Sequence, residues 1–283
     1  MILEVDNIRK EYGNFCLACS FSVEENRITG LIGANGAGKS TLFKAILDLI
    51  SIDEGYIRIF GKEHNRLTAA DKEKIGVVMG KSSPFGMLTV KKILPVLNSM
   101  YHDFDREEFT GKCREYNLPF NVKIKDFSTG EMAKLNILIA TCHNADLLLL
   151  DEPTAGLDVL AREQIMDMLR RYMETEGRSI IISSHISGDL ENFCDDVYMI
   201  NKGRLVFHED MDVLLDEYGV LKIDERAYGD VDKSHIVYAC KSDYGYICLT
   251  DARQFYLENY KDIVVEKNGI DEFMKIAGKG IKL

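Results

Sequence analysis

Apolar and polar positions alternate through residues 2–32 as ILEVDNI, FCLACSFSV and ITGLIG, the period-two pattern of half-buried strands. After Gly38 the spacing becomes helical, with Leu42, Phe43, Ile46, Leu47 and Ile50 on one face. GYIRIFG at 55–61 reads as a hairpin-like piece and IGVVM at 75–79 as a short strand. Residues 89–142 are predominantly helical, with breaks near Pro119 and at Ser128. Residues 147–150 and 179–183 are short, mostly apolar runs, each followed by a helix-like segment, which is the pattern of buried parallel strands in a βαβ arrangement. VYMINKGRLVF at 197–207 predicts a hairpin turning at Lys202-Gly203.

The pattern shifts after Gly219. Seven of the thirteen Tyr lie from Tyr218 onward. The segments GVLKID, HIVYAC, GYICLT and DIVVE predict short strands, with helices near 251–259 and 270–277. This predicts a large domain over 1–218, with a helical subdomain at about 84–142, and a small α/β appendix over 219–283. The appendix carries no motif. Its tyrosines are read as core packing, a dimer contact or a sensor.

Composition narrows the class. At 283 residues, 46% apolar and 29% charged, with no Trp, the chain is an ordinary globular protein. A formal charge of -11 argues against a nucleic-acid partner, which calls for a basic face. No run approaches the ~18 apolar residues needed to span a bilayer, and MILEVDNIRKEYG has no signal-peptide pattern. The expectation is a cytoplasmic chain that reaches a membrane only through a partner. The seven Cys are scattered, and Cys16-Leu-Ala-Cys19 lies in an apolar strand-like run with no second ligand pair, so these are read as reduced core thiols.

The candidate chemistry begins at the loop Gly33-Ala34-Asn35-Gly36-Ala37-Gly38-Lys39-Ser40-Thr41, which fits GxxxxGK[ST] between the strand ITGLIG and a helix. Its glycines let backbone N–H groups curl around phosphates at the positive end of that helix. Lys39 is expected to reach the β and γ phosphates, and Ser40 to ligate Mg²⁺. Tyr12, about twenty residues upstream, offers an aromatic face to adenine, although a strand Tyr can equally serve packing. Leu147-Leu-Leu-Leu150-Asp151-Glu152 ends a buried strand in two acids. Asp151 is assigned to the Mg²⁺ shell and Glu152 to polarising the attacking water. His185 ends the neighbouring strand, SIIISSH, and is placed to contact a γ-phosphate.

Together these residues resemble the ATP-binding subunit of an ABC transporter, over about residues 2–218. GANGAGKST matches the family's phosphate loop, FSTGE its signature, LLLLDEP its carboxylate strand, AGLD its inter-subunit loop and SSH its switch histidine. The signature departs from LSGGQ by Thr129 and Glu131 while keeping Ser128 and Gly130. The resemblance implies an α/β P-loop NTPase fold of ABC type: a mixed sheet core, an antiparallel β subdomain and a helical subdomain, with the appendix added. It implies an ATPase using ATP and Mg²⁺, head-to-tail pairing with a second ATP-binding subunit, and a separate membrane permease, in the manner of bacterial ABC-2-like exporters. Ser128 and Gly130 would then act on the partner's ATP, with Asp158 in the loop between subunits, and Tyr12 would fall at the adenine-stacking position.

One position departs clearly. Where the family has a Gln after the strand corresponding to IGVVM, this chain has Gly80, followed by Lys81-Ser82-Ser83. Either Ser82, Ser83 or a water substitutes, or hydrolysis is slow. In the following segment, Pro84, Phe85, Met87 and Leu88 either receive the permease or pack inside the helical subdomain. Two rival readings stand beside the transporter: a nucleotide-responsive interaction module with weak or no hydrolysis, and an ABC-type ATPase not tied to transport.

Overall fold

The computed structural model describes residues 1–80 and 83–282. In chain order it has β1 (Leu3–Tyr12), β2 (Phe15–Val23), β3 (Ile28–Ile32), α1 (Lys39–Ile46), β4 (Glu54–Ile59), β5 (Lys62–Glu63), α2 (Ala69–Glu73) and β6 (Ile75–Met79). Then come α3 (Val90–Met100), α4 (Arg106–Glu115), α5 (Thr129–Thr141), β7 (Leu147–Asp151), α6 (Val159–Met173), β8 (Ser179–Ser183), α7 (Ser187–Glu191), β9 (Asp196–Asn201) and β10 (Arg204–Asp210). The C-terminal part holds α8 (Met211–Asp216), β11 (Gly219–Ile223), β12 (Ile236–Ser242), β13 (Gly245–Thr250), α9 (Arg253–Asn259), β14 (Val264–Lys267), α10 (Ile270–Lys279) and β15 (Ile281–Lys282).

Ten strands form one mixed sheet in the order β5-β4-β1-β2-β10-β9-β3-β8-β7-β6. From β9 to β6 every neighbour pairs in parallel. At the other end β2, β1, β4 and β5 pair antiparallel. Parallel strands are covered on both faces, and the leucine run in β7 shows how. Leu147 and Leu149 enter the core built on β1, β2, β4 and α1, whereas Leu148 and Leu150 enter the core built on α3 to α6. The period-two geometry of a strand sends alternate residues to opposite faces, so an unbroken apolar run is what a central strand needs.

α1 ends at Ile46, short of the predicted Ile50, because Asp48 turns into the left-handed region at φ 55°. α5 starts where the sequence placed a break: Ser128 Oγ accepts from Glu131 N at 3.2 Å while Glu131 Oε2 accepts from Ser128 N at 2.8 Å. This reciprocal capping box satisfies two otherwise unpaired amides. Cys16 and Cys19 lie three apart on β2 and therefore on opposite faces; Cys19 is in the core, and burial pushes its thiol up to about 12.

The C-terminal strands form a separate antiparallel sheet, β14-β11-β13-β12-β15. One face has its own core around Leu221, Ile223, Cys248 and Tyr256. The other joins the main core through Val220, Tyr238, Leu249 and α10. The Phe207 and Phe273 ring centres are 4.2 Å apart, and Ile270 N donates to Glu191 Oε1 at 2.7 Å. α8 and β15 were not expected from the sequence. Tyr218, Tyr238 and Tyr256 are buried, and Tyr228 stacks on Tyr246 at 3.6 Å. Tyr244, at the β12–β13 turn, is exposed.

Candidate functional site

β3 delivers Gly33 at its C-terminal end, and the loop closes onto the N-terminus of α1. Residues 35–41, Phe15 and Glu152 line a cavity of about 220 Å³. Lys39 is nearly buried: its ammonium donates to Gly33 O at 2.7 Å and lies 3.6 Å from Glu152 Oε1. Parallel pairing of β7 with β8 sets Asp151 opposite Ser183. Ser183 Oγ donates to Asp151 Oδ1 at 2.7 Å and accepts from Glu152 N at 3.0 Å. Ser40 Oγ donates to Asp151 Oδ2 at 2.5 Å. His185 Nδ1 lies 2.6 Å from Glu152 Oε2.

Lys39, Ser40, Asp151, Glu152 and His185, which the sequence placed in one site, are therefore linked by direct contacts. The Ser40 hydroxyl and Asp151 carboxylate are hard oxygen donors beside a phosphate-shaped loop, a donor set suited to Mg²⁺. Glu152 has a left-handed backbone, φ 52°, which non-glycine residues seldom adopt.

Ser128 and Gly130 do not line this cavity. They share a separate shallow surface with Gly156, Leu157 and Asp158. Asp158 caps α6, accepting from Ala161 N at 2.8 Å. Tyr12 ends β1, exposed, with Lys10 Nζ 5.5 Å from its ring centre. Phe15, its cross-strand neighbour, is the aromatic that lines the loop cavity.

Two participants escaped the sequence reading. Ser183 was visible in SIIISSH, but its role depends on the β7–β8 register. Phe15 lay in a strand pattern that gave no reason to single it out. Of the residues weighed as substitutes at Gly80, Ser82 and its neighbour Lys81 lie outside the described residues, while Ser83 Oγ accepts from Phe85 N at 3.3 Å within its own turn. Phe85 and Leu88 pack against the helical core, whereas Pro84 and Met87 face outward.

Comparison with known proteins agrees with this geometry. The family model described as ABC transporter matches residues 17–155. The linearmycin resistance ATP-binding protein LnrL of Bacillus subtilis is 32% identical over 212 residues, covering 72% of this chain and 68% of that protein. The lantibiotic transport ATP-binding protein SrtF of Streptococcus pyogenes is 29% identical over 223 residues, covering 75% of this chain and 92% of its own length. An ATP-binding cassette solved as a dimer in a post-hydrolysis state with ADP and Pi superposes with a TM-score of 0.65 at 23% identity, over 74% of this chain and 99% of that one. The phosphate loop, the paired acids and the mixed sheet thus have one source: the chain belongs to the ABC transporter family of ATP-binding proteins and is an ATPase.

Proposed function

We propose that this chain is the ATP-hydrolysing subunit of an exporter, pairing head to tail with a second ATP-binding subunit beneath a separate membrane permease. The observation that carries the reading is the contact chain Lys39–Glu152–His185 beside Ser40–Asp151 at the C-terminal edge of the parallel sheet. Lys39 and the loop amides hold the triphosphate, and Ser40 and Asp151 hold Mg²⁺. When bound, that ion neutralises charge on the phosphates. Glu152, oriented by His185 and by the Ser183 hydroxyl at its own amide, polarises the water that attacks the γ-phosphate.

Pairing is supported by the second surface. Ser128, Gly130 and Asp158 sit together but away from the loop cavity, so their chemistry has a target only on another subunit. Next to them Val159 and Leu160 are exposed at 74% and 73%, an apolar step suited to burial by a partner. No helix among the described residues is long and apolar enough to cross a membrane, which fits a permease on another chain. Export is supported by the relatives named for lantibiotic transport and linearmycin resistance. The division into 1–218 and 219–283 is part of the proposal.

Size-exclusion chromatography of Glu152→Gln with ATP tests the pairing. The expected result is a dimer with ATP that reverts to monomer when nucleotide is removed. A protein that stays monomeric at saturating ATP overturns it.

A further inference from the structure

Asp189 lies in α7, four residues after His185, and is buried. A buried carboxylate is costly unless hydrogen bonds and opposite charge replace its water. Two side chains meet it, and both come from the segment that follows Glu152. Thr154, also buried, donates its hydroxyl to Asp189 Oδ2 at 2.7 Å. Arg162, near the start of α6, holds Nε 3.6 Å from Asp189 Oδ1. Between these two anchors the chain is tightly folded. Ala155 N donates to Glu152 O and Leu157 N to Thr154 O, each at 3.2 Å, and Arg162 Nη2 donates to Leu157 O at 3.5 Å. On the other side of α7, His185 Nδ1 lies 2.6 Å from Glu152 Oε2. Asp189 therefore closes a ring: from Glu152 along the chain to Thr154, across the hydrogen bond to Asp189, back along the chain to His185, and across to Glu152.

We propose that Asp189 is a positioning residue for hydrolysis: through Thr154 and Arg162 it pins the turn after Glu152 to the helix after His185, so that the two side chains keep their mutual placement. The proposal rests on the ATPase reading above. The same anchor holds the start of α6, which Asp158 caps and where a Cβ built on Gly130 would stand 3.3 Å from the Ala161 methyl. One buried carboxylate thus steadies both the acid of this subunit's site and the base of the Ser128–Asp158 surface.

The test is steady-state phosphate release by the full chain at saturating Mg²⁺, with a thermal melt of every variant. Thr154→Val keeps the shape and removes the hydroxyl, whereas Thr154→Ser keeps the hydroxyl. Asp189→Asn keeps the size and an acceptor but removes the charge. The expected result is a kcat lowered about tenfold in Thr154→Val and in Asp189→Asn, the scale of one hydrogen bond to a charged group. KM for ATP stays unchanged, and Thr154→Ser keeps the parent kcat. The two slow variants approach the same bond from opposite ends, so either one that folds decides the matter. A folded Thr154→Val or Asp189→Asn with the parent kcat overturns the proposal, even with a lowered melting temperature, because that combination is the mark of packing alone. So does a rise in KM at constant kcat, or a Thr154→Ser as slow as Thr154→Val. A parent that releases no phosphate overturns the ATPase reading itself and this proposal with it.

Discussion

Ser183 ties the two acids of the site together, with its hydroxyl donating to Asp151 and accepting from the amide of Glu152. That amide belongs to a residue held at φ 52°, and Ser183 O accepts from it as well at 3.1 Å. Ser183→Ala removes both hydroxyl contacts and leaves the strand pairing intact. Its kcat for ATP should fall about tenfold, the scale of one hydrogen bond to a charged group, with KM little changed in steady-state assays. Lys39, Ser40, Asp151, Glu152 and His185 were legible in the sequence because each sits at a fixed offset from a strand end or a glycine loop. Ser183 and Phe15 were not, because their neighbours come from other strands, and no local spacing encodes that register.

Among the elements, α5 is the most constrained. Its C-terminal half lies so close to β6 that a Cβ on Gly76 would stand 2.1 Å from Ala140 O and 2.3 Å from a Leu148 methyl. Gly76→Ala must push helix from sheet, and overpacking of this kind costs about 1–3 kcal/mol. Urea denaturation should show that loss. Just past the end of α5, His143 is buried and stacked on Tyr101 at 4.0 Å. Burial holds its pKa below the ordinary value. The unfolded chain therefore takes up a proton near pH 6.5 that the folded chain refuses, so this part of the stability is present above that pH and lost below it. His143→Gln should flatten the fall in melting temperature between about pH 7 and pH 5, read by thermal melts across that range. At this scale the sequence was most informative, since strands β6, β7 and β8 and the start of α5 follow from periodicity and capping. It was least informative for α8 and β15. Both are short, and long-range packing rather than local pattern holds them: Met211 and Leu214 of α8 lie in the main core, and β15 pairs with β12.

For the whole molecule, composition and spacing suggested an appendix beyond residue 218, and the structure shows a separate sheet there. The buried core nevertheless runs from α3–α6 into that sheet, with Phe273 fully buried against Phe207. Phe273→Ala should cost about 3–5 kcal/mol, the range for removing a buried aromatic ring. Because the core is continuous, calorimetry should show one transition shifted down, not an early melt of the appendix followed by an unchanged ATPase melt. The same continuity places α10 against α7, just beyond His185, while the contacts that join Lys39, Ser40, Asp151 and Glu152 come from β3, α1, β7 and β8.

The most direct test of the account is Mg²⁺-dependent phosphate release by the parent protein and by Glu152→Gln, with nucleotide binding measured in parallel. The parent is expected to release phosphate, and chelation of Mg²⁺ to abolish that release. Glu152→Gln is expected to bind ATP as the parent does and to turn over at least about a hundredfold more slowly, the scale of a lost general base. Hydrolysis by Glu152→Gln at the parent rate would contradict it.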